Sequence, residues 1–139
     1  MLYPSIAAVM AENSVRDELV VLKAKPVHFD LKSLTQVASN YISAHRVVIA
    51  EDYLIQIYGL DIPPSEYLDR VFGLDVVIQY RGWKLGLDIT LNEDAVKSKQ
   101  QKQQGLRPAY KALGIDAWGV IIAGQDLKTQ LSQIIRGAQ

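Results

Sequence analysis

The chain is expected to fold as an α/β domain, a central mixed sheet containing a hairpin and flanked by helices. Three observations lead there. Residues 74–80 and 83–90 are two β-branched, apolar runs separated by Arg81-Gly82, the pattern of a β-hairpin. Ala117-Trp118-Gly119-Val120-Ile121-Ile122-Ala123 is a continuous apolar run, suited to a strand buried on both faces. A polar helical segment lies between these two features, so the connection is a crossover and the last strand is expected parallel to the strand that holds Asp88.

The elements follow in chain order. Residues 1–32 read as an N-terminal extension of unclear role, with a short helix over Pro4–Met10 and extended chain over Glu18–Phe29, where Pro26 argues for an edge or a break. Ser33 reads as an N-cap. Leu34, Val37, Ala38, Tyr41 and Ile42 then share one helical face that continues through His45 toward Glu51 and Leu54. Asp61-Ile62-Pro63-Pro64-Ser65 is a loop, and Tyr67–Phe72 an added strand before Gly73. Asn92 caps the next helix, with Glu93 and Asp94 in the first turn, where the helix dipole favours acids. That helix ends near Gln104, and Gly105 and Pro108 mark a break before Ala109–Leu113. Gln125–Ile135 closes the chain as a helix that buries Leu127, Leu131, Ile134 and Ile135.

A chain of 139 residues fits a single domain with one ordinary core, and residues 33–135 carry its readable elements. Cysteine is absent, which excludes disulfides, thiolate metal sites and a cysteine nucleophile. Any metal must be held by oxygen or by His28 and His45. The apolar runs are too short to span a bilayer, and Met1-Leu2-Tyr3-Pro4 lacks the basic start of a signal peptide, so a soluble, cytoplasmic protein is expected. Lys plus Arg and Asp plus Glu both total 15, so the overall field gives no push toward nucleic acid. The distribution does: Lys97, Lys99, Lys102, Arg107 and Lys111 fall between Ala95 and Leu113 with no acid among them. Such a stripe can follow a phosphate backbone or simply be a solvated helix face.

Alternation within the hairpin sorts its residues. With Arg81-Gly82 as the loop, Tyr80 faces Trp83, Ile78 faces Leu85 and Val76 faces Leu87 on a wholly apolar side. On the other side Gln79 faces Lys84, Val77 faces Gly86 and Asp75 faces Asp88. Like charges directly opposed across strands are destabilising, and no cation is built in beside them, so a divalent ion would reverse the penalty.

The order of helix, hairpin with an Asp on each strand, Gln- and Lys-rich helix and apolar strand resembles the PD-(D/E)-x-K nuclease superfamily, the restriction-endonuclease-like fold. The match is Gly73-Leu74-Asp75 followed by Asp88-Ile89-Thr90. The resemblance implies that Asp75, Asp88 and the Ile89 carbonyl hold Mg²⁺ (or Mn²⁺) and that DNA phosphodiester bonds are hydrolysed. Thr90 stands where the family has Lys. Lys97 and Lys99 on the next helix are candidates for a migrated lysine, and Lys97, Gln100, Gln101 and Gln104 share a helical face by their spacing. With Lys99, Lys102 and Arg107 these residues form the expected DNA-contacting set. Glu51, on the helix before the sheet, is the candidate third acid. Cutting both strands of a duplex implies a homodimer or higher oligomer.

Thr90 also supports a second reading, a nuclease-like domain without catalysis that binds DNA or a protein partner. A small-molecule enzyme ranks last, since no Gly-rich phosphate loop, catalytic triad or HExxH pattern is present.

Overall fold

The computed structural model describes residues 5–42 and 62–139. Helix α1 (Ile6–Val21) leads into a two-residue strand β1 (Lys25–Pro26), helix α2 (Leu31–Tyr41) and helix α3 (Pro64–Phe72). The hairpin strands β2 (Val76–Tyr80) and β3 (Trp83–Thr90) follow, then α4 (Val96–Gly105), α5 (Arg107–Ala112), β4 (Ala117–Ile122) and α6 (Leu127–Ala138). The described strands form one mixed sheet in the order β1-β2-β3-β4, antiparallel except for the parallel β3–β4 pair.

The hairpin has the register expected from alternation, Val76 against Leu87 through Tyr80 against Trp83. Arg81 and Gly82 both take positive φ, 50° and 81°, as a two-residue turn that follows the strand twist requires. The apolar side, with Ile78, Leu85 and Leu87, packs against Val15 and Leu19 of α1 and Leu127 and Leu131 of α6. The other side is buried as well. Val77, with Leu74 and Ile115, joins a second core built from Leu34 and Ala38 of α2, Tyr67 and Phe72 of α3, and Tyr110 of α5. Gly86 leaves room for this packing, since a Cβ there would lie 2.9 Å from a Leu74 methyl.

Several elements differ from the sequence reading. Glu18 and its neighbours lie in α1, a 16-residue helix capped by Ser5, and the extended chain is confined to β1. The first 32 residues thus supply an edge strand and, through Val15, Leu19 and Ala24, part of the core. Asp30, and not Ser33, caps α2 by accepting from the Ser33 N–H at 2.7 Å. Helix α2 stops at Tyr41 with Ile42 already extended, short of the expected run through His45 toward Glu51 and Leu54, whose later residues lie outside the described ones. Tyr67–Phe72 is helix rather than strand: Pro64 pre-sets the first turn and Gly73, at φ 67°, closes it. Strand β4 is fully buried on one side and partly buried on the other, where Trp118, Val120 and Ile122 lie and Trp118 packs against the second core. No described helix is long and apolar enough to cross a membrane.

Candidate active site

Asp75 and Asp88 meet at the end of the hairpin, but not as an ordinary cross-strand pair. The ladder stops at Val76–Leu87. Asp75 donates its N–H to the Leu87 carbonyl at 2.8 Å, and its Oδ2 accepts the Ile89 N–H at 2.6 Å, so the carboxyl takes the place of a ladder partner. The Asp75 side chain also lies within hydrogen-bonding reach of Asp88. Burial first, then the neighbouring Asp69 and Asp88 charges, push the Asp75 carboxyl up to about 8, against the stabilising Ile89 N–H. The upward shift favours the protonated form of Asp75, and a proton there relieves the like-charge contact.

A cation is built in after all. Lys99, on α4, places its Nζ 3.2 and 3.3 Å from the two Asp88 oxygens. The Asp88 side chain is only 13% exposed, so this ion pair is partly sheltered from solvent screening. Lys99 and Gln103 lie one helical turn apart on the side of α4 that meets the sheet, and Gln103, fully buried, donates to the Gly119 carbonyl at 2.9 Å. That phase differs from the expected one. Lys97, Gln100, Gln101, Lys102, Gln104 and Arg107 are all exposed, and Gln100, Gln104 and Arg107 line a groove beside β4 with buried Gln103. A helix with almost no apolar residue gives its sequence little to mark which side faces inward.

Thr90 follows Asp88 on the same strand, yet its hydroxyl is engaged locally: Oγ1 accepts the Asn92 N–H at 3.1 Å and lies 3.4 Å from the Asn92 carbonyl. It shapes the turn into α4. Glu51 lies outside the described residues, as do His45 and Arg46.

Two acids that the sequence reading passed over stand near the pair. Asp69, on α3, has an open side chain, yet crowding by the protein and the charges of Asp88 and Glu12 raise its pKa, while Lys99 and Arg70 pull the other way. Glu12, on α1, holds Arg16 at 2.8 Å, and the same Arg16 nitrogen donates to the Asp75 carbonyl at 2.8 Å. Arg16 thereby fixes the backbone at Asp75. The signal for Glu12 and Arg16 was their i,i+4 spacing, once the segment is read as helix. Asp69 was hidden by the strand assignment.

The acids Glu12, Asp69, Asp75 and Asp88 thus gather with the cations Arg16, Arg70 and Lys99 around one sheet end. Among the described residues no three His, Asp or Glu side chains gather closely enough to hold a metal ion by themselves. The donors present are hard oxygens, the two carboxyls and the Ile89 carbonyl, and such a set suits Mg²⁺, which commonly takes one or two carboxylates and completes its shell with water and phosphate oxygens. No protein-family model matches the sequence, and comparison with curated proteins and with solved structures gives no match.

Proposed function

We propose that this protein is a metal-dependent nuclease that hydrolyses DNA phosphodiester bonds at Asp75 and Asp88. The observation that carries the reading is the adjacency of these two carboxyls at one sheet end, with a lysine from the following helix on the second. A pair that must share a proton when alone is poised to exchange that proton for a divalent cation. Asp75, Asp88 and the Ile89 carbonyl would hold Mg²⁺, which would polarise the phosphate and lower the pKa of a bound water.

The protein's own groups supply the rest. Lys99 brings a positive charge to the carboxylates from α4, the part that a lysine at position 90 would have played. It is a candidate to meet the charge that develops on the phosphate oxygens. Ile89 N–H and Arg16 fix the Asp75 side chain and backbone respectively, so the carboxyl cannot swing away when its proton leaves. Asp69 adds a further acid at the rim. The order of hairpin, helix and parallel strand supports a restriction-endonuclease-like core.

The second reading, a noncatalytic module that binds DNA or a protein, draws on the Lys99–Asp88 ion pair, which neutralises one carboxylate without a metal. Cleavage of plasmid, linear and branched DNA in Mg²⁺ or Mn²⁺ separates the two. Cutting that requires metal and disappears in Asp88→Ala supports the nuclease. DNA binding without cutting by the native protein supports the module.

A further inference from the structure

We propose that the cavity beside Asp75 receives a single unpaired nucleobase, so that the preferred substrate is single-stranded or frayed DNA; this rests on the nuclease reading above. The cavity measures about 280 Å³ and opens between β1, α2 and α3. That is small for a ligand site, enough for one planar ring system with part of a sugar and too little for a base pair. Its described walls are mostly apolar and include Phe29, Leu34 and Leu68. Polar residues on the lining are few: Arg16, Asp75, His28 and Ser65.

This arrangement matches the two ends of a nucleotide. A phosphate at Asp75 and Asp88 would have its attached base within reach of the adjoining cavity, where Phe29 is the aromatic residue on a mostly apolar lining. Stacking of this kind tolerates any base, because each has a π-face. Bases in an intact duplex are held inside the helical stack and reach such a cavity only after unpairing, which costs least where the strand is already single. Arg16, held between Glu12 and the Asp75 carbonyl, stands at the junction of cavity and carboxylates, where a cation would meet the phosphate.

The test compares fluorescein-labelled oligothymidine with an abasic oligomer of equal length, which keeps the phosphates and lacks the bases. Binding is followed by anisotropy in Ca²⁺ in place of Mg²⁺. The native protein is expected to bind oligothymidine at least about tenfold tighter than the abasic strand, in line with the stacking of one base. Ser65→Trp, at an exposed rim position, and Phe29→Ala are each expected to reduce that ratio below about threefold, with urea midpoints confirming that the variants fold. Equal affinity of the native protein for the two strands, or an unchanged ratio in both folded variants, overturns the proposal. If the base preference is found and no DNA is cut in Mg²⁺, the base site stands and the nuclease reading fails. If DNA is cut and no base preference exists, the reverse holds.

Discussion

Replacing Asp75 with Asn isolates the proton held between the two carboxyls. Asparagine can still accept the Ile89 N–H through its carbonyl oxygen, and its amide can donate to Asp88 as the protonated acid does. In the metal-free protein the substitution therefore mimics the native site at low pH. The Asp75 carboxyl is raised from 3.8 to about 8 on folding. A group whose folded pKa lies above its unfolded value contributes its full stability below the unfolded pKa and loses it as pH rises toward the folded one. Between those limits the native state binds one more proton than the unfolded chain, so native stability falls by about 1.4 kcal/mol per pH unit from this group. The amide of the Asp75→Asn variant does not titrate and has no such slope. Taking the difference between the two proteins cancels the titrating groups that do not interact with Asp75. From about pH 5 to about pH 7 the variant should gain roughly 2–3 kcal/mol on the native protein. Urea melts in EDTA at several pH values measure this directly. A difference that stays flat over the interval would refute the proton held at Asp75.

Other changes probe the surroundings. Lys99→Met removes the cation on Asp88 and should cost about 1–2 kcal/mol in urea melts, between the values for exposed and buried pairs, and should lower any metal-dependent cleavage while DNA binding persists. Tyr110→Phe breaks a buried hydrogen bond of 2.7 Å to the Phe72 carbonyl, and a loss of about 1–2 kcal/mol is expected by denaturant unfolding. Tyr67→Phe should act in the opposite sense, stabilising by about 1 kcal/mol in the same assay, because the Tyr67 hydroxyl is buried with no hydrogen-bond partner among the described residues. Gly119→Ala would put a Cβ 2.6 Å from Ile134 side-chain atoms. It should cost about 1–3 kcal/mol, and Ile134→Ala in the same chain should recover part of that by removing the obstruction.

The hairpin could be read from its sequence because alternation and loop length together fix a register, and the observed pairs Val76–Leu87 to Tyr80–Trp83 follow it. The parallel placement of β4 followed from handed crossover geometry in the same way. Alternation could not show that Asp75 leaves the ladder, since its side chain replaces a backbone partner at Ile89. Helix α1 was obscured because Ile6, Met10, Val20 and Val21 are exposed, which blurs the helical period, and the β-branched pair Val20-Val21 reads as strand. For α3 the signals were present: Pro64 at the start, Gly73 at the end, and Tyr67, Leu68, Val71 and Phe72 on one buried face. Reading them would have brought Asp69 into view. The choice of Lys99 over Lys97 was not legible, because α4 carries no apolar stripe and its inward side is set by Gln103 reaching Gly119.

The most direct test of the central claim, that Asp75 and Asp88 form a metal centre, is calorimetric titration of the protein with Mg²⁺ near neutral pH in two buffers of different ionisation enthalpy. Binding at the pair should displace the Asp75 proton, giving about one proton released per ion in the native protein and none in Asp75→Asn. Binding without proton release, or release that survives in Asp75→Asn, would place the metal elsewhere and contradict the account, as would the absence of binding.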